Sequence, residues 1–436
     1  MNGERESIGQ RLRRLRLERG LSQRELSEPG VSYAYISRIE AGARRPSVKA
    51  LRLLAKKLGV SADYLETGSE IGDSEERELR LADAELELRL ADDPSAAEAT
   101  LAELLREAEE AGDRMAAGRA RVALGFLASR QSRAADAVEQ LERAIETGIL
   151  LPTARPDVYT TLGRAYAATG NAKRAVELFE DCLAEVTAHR PDDTAAHVRF
   201  AVYLSHALSD VGEFERAEEV LKDALERTDD LVDPMMRVRL YRSLGRLSAL
   251  EARPAAALDN FRRAIALLEA TEDTIHLARA HLGCAWTLIS ADRAEEAGAH
   301  LEAAERLFGD NAEMIDRAYL RTEQARHSAR TGNGPRAIQY AEEALALLGE
   351  ADPGEQGSAW WALAEGLALQ GSNERANDAF QLATELLEHH GQRRAAADAL
   401  RAWAKLLRRM GREPEAGYAE ARAEVIAKEL VSARAT

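Results

Sequence analysis

The chain has 436 residues, a net charge of −16, 31% charged residues and only 5% aromatic ones. That length exceeds one ordinary hydrophobic core, so several domains or a repeat array are required. A hydrophobic content of 45% excludes a wholly disordered chain, and no run approaches the ~20 apolar residues of a membrane span.

The charge is unevenly spread. Residues 1–68 hold 14 Lys/Arg and 8 Asp/Glu, a balance of +6, while residues 69–436 carry −22. A basic head on an acidic body suits a head that meets phosphate and a body that does not. The two cysteines, Cys182 and Cys284, imply no disulfide framework. The N-terminal stretch MNGERESIGQRLRRLRLERG has no apolar segment of a secretory signal. A cytoplasmic location is therefore expected.

In chain order, the first 68 residues divide into five short helices. Ile8, Leu12 and Leu15 recur at helical spacing, and Gly20 stops that helix. Ser22 with Glu25 makes a capping box for a brief second helix, broken by Pro29-Gly30. Ser32 opens a third helix through Ile36, Ile39 and Glu40, ended by Gly42. Ser47 opens a fourth, with Val48, Leu51, Leu54, Ala55 and Leu58 on one face, and Ser61 a last turn through Tyr64 and Leu65.

Two short helices joined by a tight turn follow the helix-turn-helix plan. Leu21-Ser22-Gln23, Ile36-Ser37, Ile39-Glu40, Gly42, Pro46-Ser47 and Leu58-Gly59-Val60 stand in the order of one family. The segment resembles the Cro/C1-type, or XRE-type, DNA-binding domain over about 60 residues. It departs from that pattern in being one residue shorter between Gln23 and Gly30, with Pro29 in the turn and Ser27 in place of Ala.

The resemblance implies that the third helix lies in the major groove, with Tyr33, Ala34, Ser37 and Arg38 facing outward. Arg38 suits a bidentate contact to guanine, and Ala34 a thymine methyl. Gln23 and Ser32 at helix N-termini, Arg44 and Arg45 in the following loop, and Arg13 on the first helix are candidates for phosphate. Arg16 and Glu40 match positions that form a structural ion pair. Similar regulators bind near-palindromic half-sites, so double-stranded DNA and a homodimer are the expected partners.

Residues 69–77 read as a linker, and residues 78–436 as repeats. A small residue opens the second helix of each hairpin, at Ala97, Ala137, Ala175, Ala217, Ala257, Ala297, Ala337, Ala376 and Ala416. The steps lie between 38 and 42 residues. Five residues earlier stands a turn residue in most copies: Ser132, Gly170, Gly212, Gly332, Gly371 and Gly411. In residues 159–186, Tyr159, Leu162, Gly163, Tyr166, Gly170, Ala175 and Phe179 resemble a tetratricopeptide repeat. The period exceeds the usual ~34 residues, so longer helices and loops are expected.

The expected fold is all-α: a five-helix head and about nine hairpins stacked as a right-handed superhelix, the first at 76–110 and the last at 396–426. First helices would line the concave face, with Arg164, His206, Arg242, Arg246, Arg326 and Trp361 outward on it. These cations suit an acidic or carboxylate-bearing peptide, or they pair with neighbouring Asp and Glu on solvated faces. The head joined to such repeats resembles the peptide-pheromone-responsive regulators, which implies a peptide or protein ligand in the groove. An interaction scaffold, or a regulator of a partner enzyme with a docking head, is the alternative.

No catalytic, nucleotide-binding or metalloprotease motif occurs, so neither an enzyme nor a cofactor is expected. His281 and Cys284, three apart on one helix, offer only two metal ligands, and packing is the simpler role. His389-His390 stands at a helix end before Gly391, where cations meet the helix dipole favourably.

Overall fold

The computed structural model describes residues 6–27, 31–67, 73–91, 93–228, 233–349, 353–390 and 392–432. Pro29-Gly30, residues 69–72 of the expected linker and Gly391 lie outside them, and residues 73–77 of that linker are helical. The described secondary structure is helical, with 23 α-helices and one short 3-10 turn. The chain divides into two compact units, 1–123 and 124–436.

The first unit opens with the five expected helices: α1 (Ile8–Glu18), α2 (Gln23–Leu26), α3 (Tyr33–Glu40), α4 (Val48–Leu58) and α5 (Ala62–Thr67). Their ends follow local chemistry. Ser7–Gln10 and Ser22–Glu25 are reciprocal capping boxes, and Ser47 accepts from the Ala50 amide. Gly59 closes α4 in the left-handed conformation. Leu12, Leu15, Leu26, Ile36, Ile39, Leu54, Leu58 and Leu65 form the core, whereas Val48, expected on the apolar face of α4, is exposed at its first position. Arg11 ties α5 to α1: its guanidinium donates to the Leu65 carbonyl at 2.9 Å and the Glu6 carbonyl at 2.7 Å.

Eighteen helices follow, paired in sequence as nine hairpins from α6 (Asp73–Leu90) and α7 (Ser95–Glu110) to α22 (Arg393–Arg409) and α23 (Glu413–Ser432). The first hairpin buries Leu81, Ala84 and Leu88 on α6 and Ala97, Leu101, Leu104 and Ala108 on α7. All nine alanines that open the second helices are buried, as close helix approach requires. Helices of 15–18 residues are common in the array, which accounts for the long period. No helix among the described residues is long and apolar enough to cross a membrane.

The turn within each of the last eight hairpins uses the left-handed region whatever residue occupies it. Gly170, Gly212, Gly332, Gly371 and Gly411 adopt positive φ there, and so do Ser132, Ala252 and Asp292 at φ 58–59°. Ala252 and Asp292 belong to two of the three copies that lack a turn residue in the sequence pattern; the third, Asp92, lies outside the described residues. A Cβ in this region is strained, so Ala252→Gly is expected to raise stability by about 0.5–1 kcal/mol. An unchanged urea midpoint would show that the turn carries no strain.

Candidate functional sites

In the first unit, α3 buries Ile36 and Ile39 and turns its other face outward. Tyr33, Ala34 and Arg38 are exposed and Ser37 is half-buried on that face. Arg38 folds back lightly, its Nε donating to the Ala34 carbonyl at 3.2 Å. Ser32 is the N-cap of α3, and its hydroxyl makes no capping bond. Arg13, Arg44 and Arg45 are exposed. Arg44 lies over the Tyr35 ring at 5.0 Å, and the Tyr35 hydroxyl accepts from the Ser47 amide at 3.1 Å. The α3–α4 loop is thereby fastened to α3, its cations held beside the exposed face.

Behind that face sits the Arg16–Glu40 pair. Arg16 Nε and Nη2 donate to the two Glu40 oxygens at 2.7 and 2.9 Å, with side chains 9% and 4% exposed. Gln23 Nε2 donates to the same carboxylate at 2.6 Å, so this side chain turns toward α3. Burial pushes the Glu40 carboxyl up, but Arg16 and Gln23 outweigh it and hold it below its ordinary value. Sequence reasoning missed Gly9. A Cβ there would stand 2.2 Å from the Ile39 carbonyl oxygen, so α1 and α3 touch backbone to backbone. The only signal was a glycine one residue inside a capped helix.

In the second unit, a groove of about 2760 Å³ runs along the first helices of the hairpins. Arg164, His206, Arg242, Arg246, Arg326 and Trp361 all line it. Their states differ. Arg326 is buried, donates to both Glu323 oxygens at 2.7 and 3.0 Å, and lies over the Trp361 ring at 5.4 Å. Trp361 Nε1 donates to Glu365 at 3.0 Å. Those two side chains hold neighbouring helices together. Arg164, Arg242 and Arg246 form no hydrogen bond or ion pair with any described residue.

His206 is half-buried, with Nε2 3.4 Å from the Ser243 hydroxyl. Burial, Arg246 and Arg242 push it down to about 3, so it is neutral at physiological pH. Arg239 and Arg279 also line the groove and escaped the sequence reading. Arg279 is bidentate to Asp316, both bonds 2.7 Å. Arg239 precedes Arg242 by three residues on α14 (Pro234–Leu250), a helical spacing that was available as a signal.

Elsewhere, His281 Nδ1 lies 2.9 Å from His300 Nδ1, one ring donating to the other. Cys284 is buried, and burial pushes its thiol up to about 12. His389 is exposed in the last turn of α21 (Asn373–His389), and its ring packs edge-on against His390, 4.9 Å between centroids. Among the described residues no group of three or more His, Cys, Asp or Glu could hold a metal ion.

A helix-turn-helix family model matches residues 12–65, and a tetratricopeptide repeat model matches residues 157–185. The HTH-type transcriptional regulator y4dJ of Sinorhizobium fredii is 45% identical over 58 residues, covering 13% of this chain and 75% of the relative. Among solved structures, a Rap protein complexed with competence and sporulation factor is 15% identical with a TM-score of 0.57, covering 83% of this chain and 99% of that one. The apo quorum sensor NprR from B. thuringiensis is 12% identical with a TM-score of 0.51, covering 87% of this chain and 97% of that one. At these identities the two structures establish a shared fold.

Proposed function

The chain belongs to the HTH-type transcriptional regulators, and from that membership we propose that it binds specific DNA sequences as a homodimer while its repeat groove senses a peptide or protein partner. The observation that carries the DNA reading is the exposed face of α3. Tyr33, Ala34, Ser37 and Arg38 share it, with Arg44 and Arg45 exposed in the loop that follows. A helix of this size enters a major groove, and Arg38 then reaches guanine. Arg13, Arg44, Arg45, the Gln23 end of α2 and the Ser32 end of α3 meet phosphate.

A domain boundary near residue 68 separates reading from sensing, and one head binds too weakly alone to select a site. Two heads on half-sites one helical turn apart supply the affinity. The array takes the sensing role by likeness of fold: the neighbouring Rap structure carries a factor, and NprR is a quorum sensor. Ligand in the groove then alters how two heads are presented.

Gel-shift titration on the promoter of the protein's own gene tests this. Arg38→Ala is expected to lose about 1–3 kcal/mol of discrimination at one base position. Arg44→Ala with Arg45→Ala should weaken every sequence alike and lower the salt slope by about 2. A wild-type protein that shows no preference among genomic fragments removes the proposal.

A further inference from the structure

The groove has a charge that its domain lacks. Its described lining holds fifteen Arg and Lys against nine Asp and Glu, within a segment, 69–436, whose balance is −22. Seven of these acids are already engaged: Asp316 and Glu313 by Arg279, Glu323 by Arg326, Glu365 and Asp292 by Arg330, Asp398 by Arg401 and Glu388 by Arg422. Arg239, Arg242 and Arg246 on α14 and Arg164 on α10 (Pro156–Ala168) have no such partner among the described residues. Asp210 acts on Arg246 at a distance, without an ion pair.

Unpaired guanidiniums crowded on one wall repel one another. Burial, and then the charge of Arg279, push Arg242 down to about 10. The cost is relieved by an anion. Positions 239, 242 and 246 follow one face of α14, and 242 and 246 are separated by about 6 Å along its axis. Alternate side chains of an extended peptide repeat at about 6.6–6.8 Å. Two carboxylates two residues apart on one strand therefore match two of these guanidiniums.

We infer that the groove's occupant is an acidic peptide segment, held by carboxylates two residues apart on Arg242 and Arg246, with Arg239 and Arg164 flanking. This inference rests on the reading of the groove as the sensing surface and specifies its ligand. A nucleic acid fits less well, because nine carboxylates share the lining and oppose a continuous run of phosphates. Neutral His206 both donates to and accepts from peptide groups. Trp286 adds an apolar surface in the same lining.

The test uses the full chain and fluorescein-labelled hexaglutamate, followed by anisotropy, with hexalysine and a dodecathymidylate as comparison probes. Hexaglutamate should bind saturably and more weakly as salt rises. Arg242→Glu with Arg246→Glu should weaken it at least about tenfold, and Arg242→Gln with Arg246→Gln should do so with less electrostatic disturbance. Arg143→Gln, outside the groove, should leave it unchanged. Absent binding, binding equal in the α14 variants, or a larger loss for dodecathymidylate than for hexaglutamate overturns the inference. Binding at α14 that leaves promoter affinity unaltered upholds it and removes the sensing reading instead.

Discussion

Glu40→Ala is expected to cost about 3–5 kcal/mol, because it leaves the buried Arg16 guanidinium without its counter-charge. Arg16 loses both bidentate bonds and keeps only the Leu21 carbonyl at 2.8 Å, while Gln23 loses its 2.6 Å acceptor. That loss is comparable with the whole stability of a small domain. Native-state hydrogen exchange on the full chain checks it: the amides of α1 and α3 should lose most of their protection, and promoter binding should fall with them. Glu40→Gln keeps one acceptor and should fall between. Protection in α3 equal to wild type would show that the pair does not hold the head together.

The same pair sets an acid limit. Glu40 has a folded pKa below its ordinary value, so the folded state binds this proton less readily than the unfolded chain. Its contribution to stability is complete above the unfolded pKa and disappears as pH falls through the folded one. The wild-type head should therefore lose its advantage over Glu40→Gln as pH falls, the variant having the flatter profile.

Phe261→Ala should cost a similar amount, about 3–5 kcal/mol, by opening a cavity in the middle of the array. The ring lies between two successive first helices. A Cβ built on Gly245 of α14 would stand 3.0 Å from it, and one on Gly283 of α16 (Thr274–Ser290) 2.4 Å. Phe261 itself belongs to α15 (Pro254–Leu268) and is buried. One side chain thus joins three helices of two hairpins. A stacked array is stabilised by its nearest-neighbour interfaces, so the variant should unfold in urea at a lower midpoint and with reduced cooperativity. A loss below about 1 kcal/mol would mean the neighbours collapse into the space.

Much of this was legible because it is local. The nine alanines near every fortieth residue marked nine hairpins, and each is buried against its partner helix. Ser22 and Glu25 announced α2, and Ile36 with Ile39 oriented α3. Arg16 and Glu40 came from family resemblance, and their geometry is that of a buried bidentate pair.

What the sequence determined alone was the order, length and buried face of the helices, since caps, glycines and apolar spacing act within a few residues. Which arginines stand unpaired was decided only by the tertiary structure. Arg326 and Arg246 both line the groove, each 11 residues before the alanine of its repeat, yet Glu323 lies one turn from Arg326 and nothing described forms an ion pair with Arg246. Arg279 finds Asp316 37 residues away, on the next first helix. The contact of Gly9 with α3 and the left-handed turns at Ala252 and Asp292 are of the same kind. Charge pairing and close backbone approach depend on which surfaces face each other across helices, and that distance is set by packing.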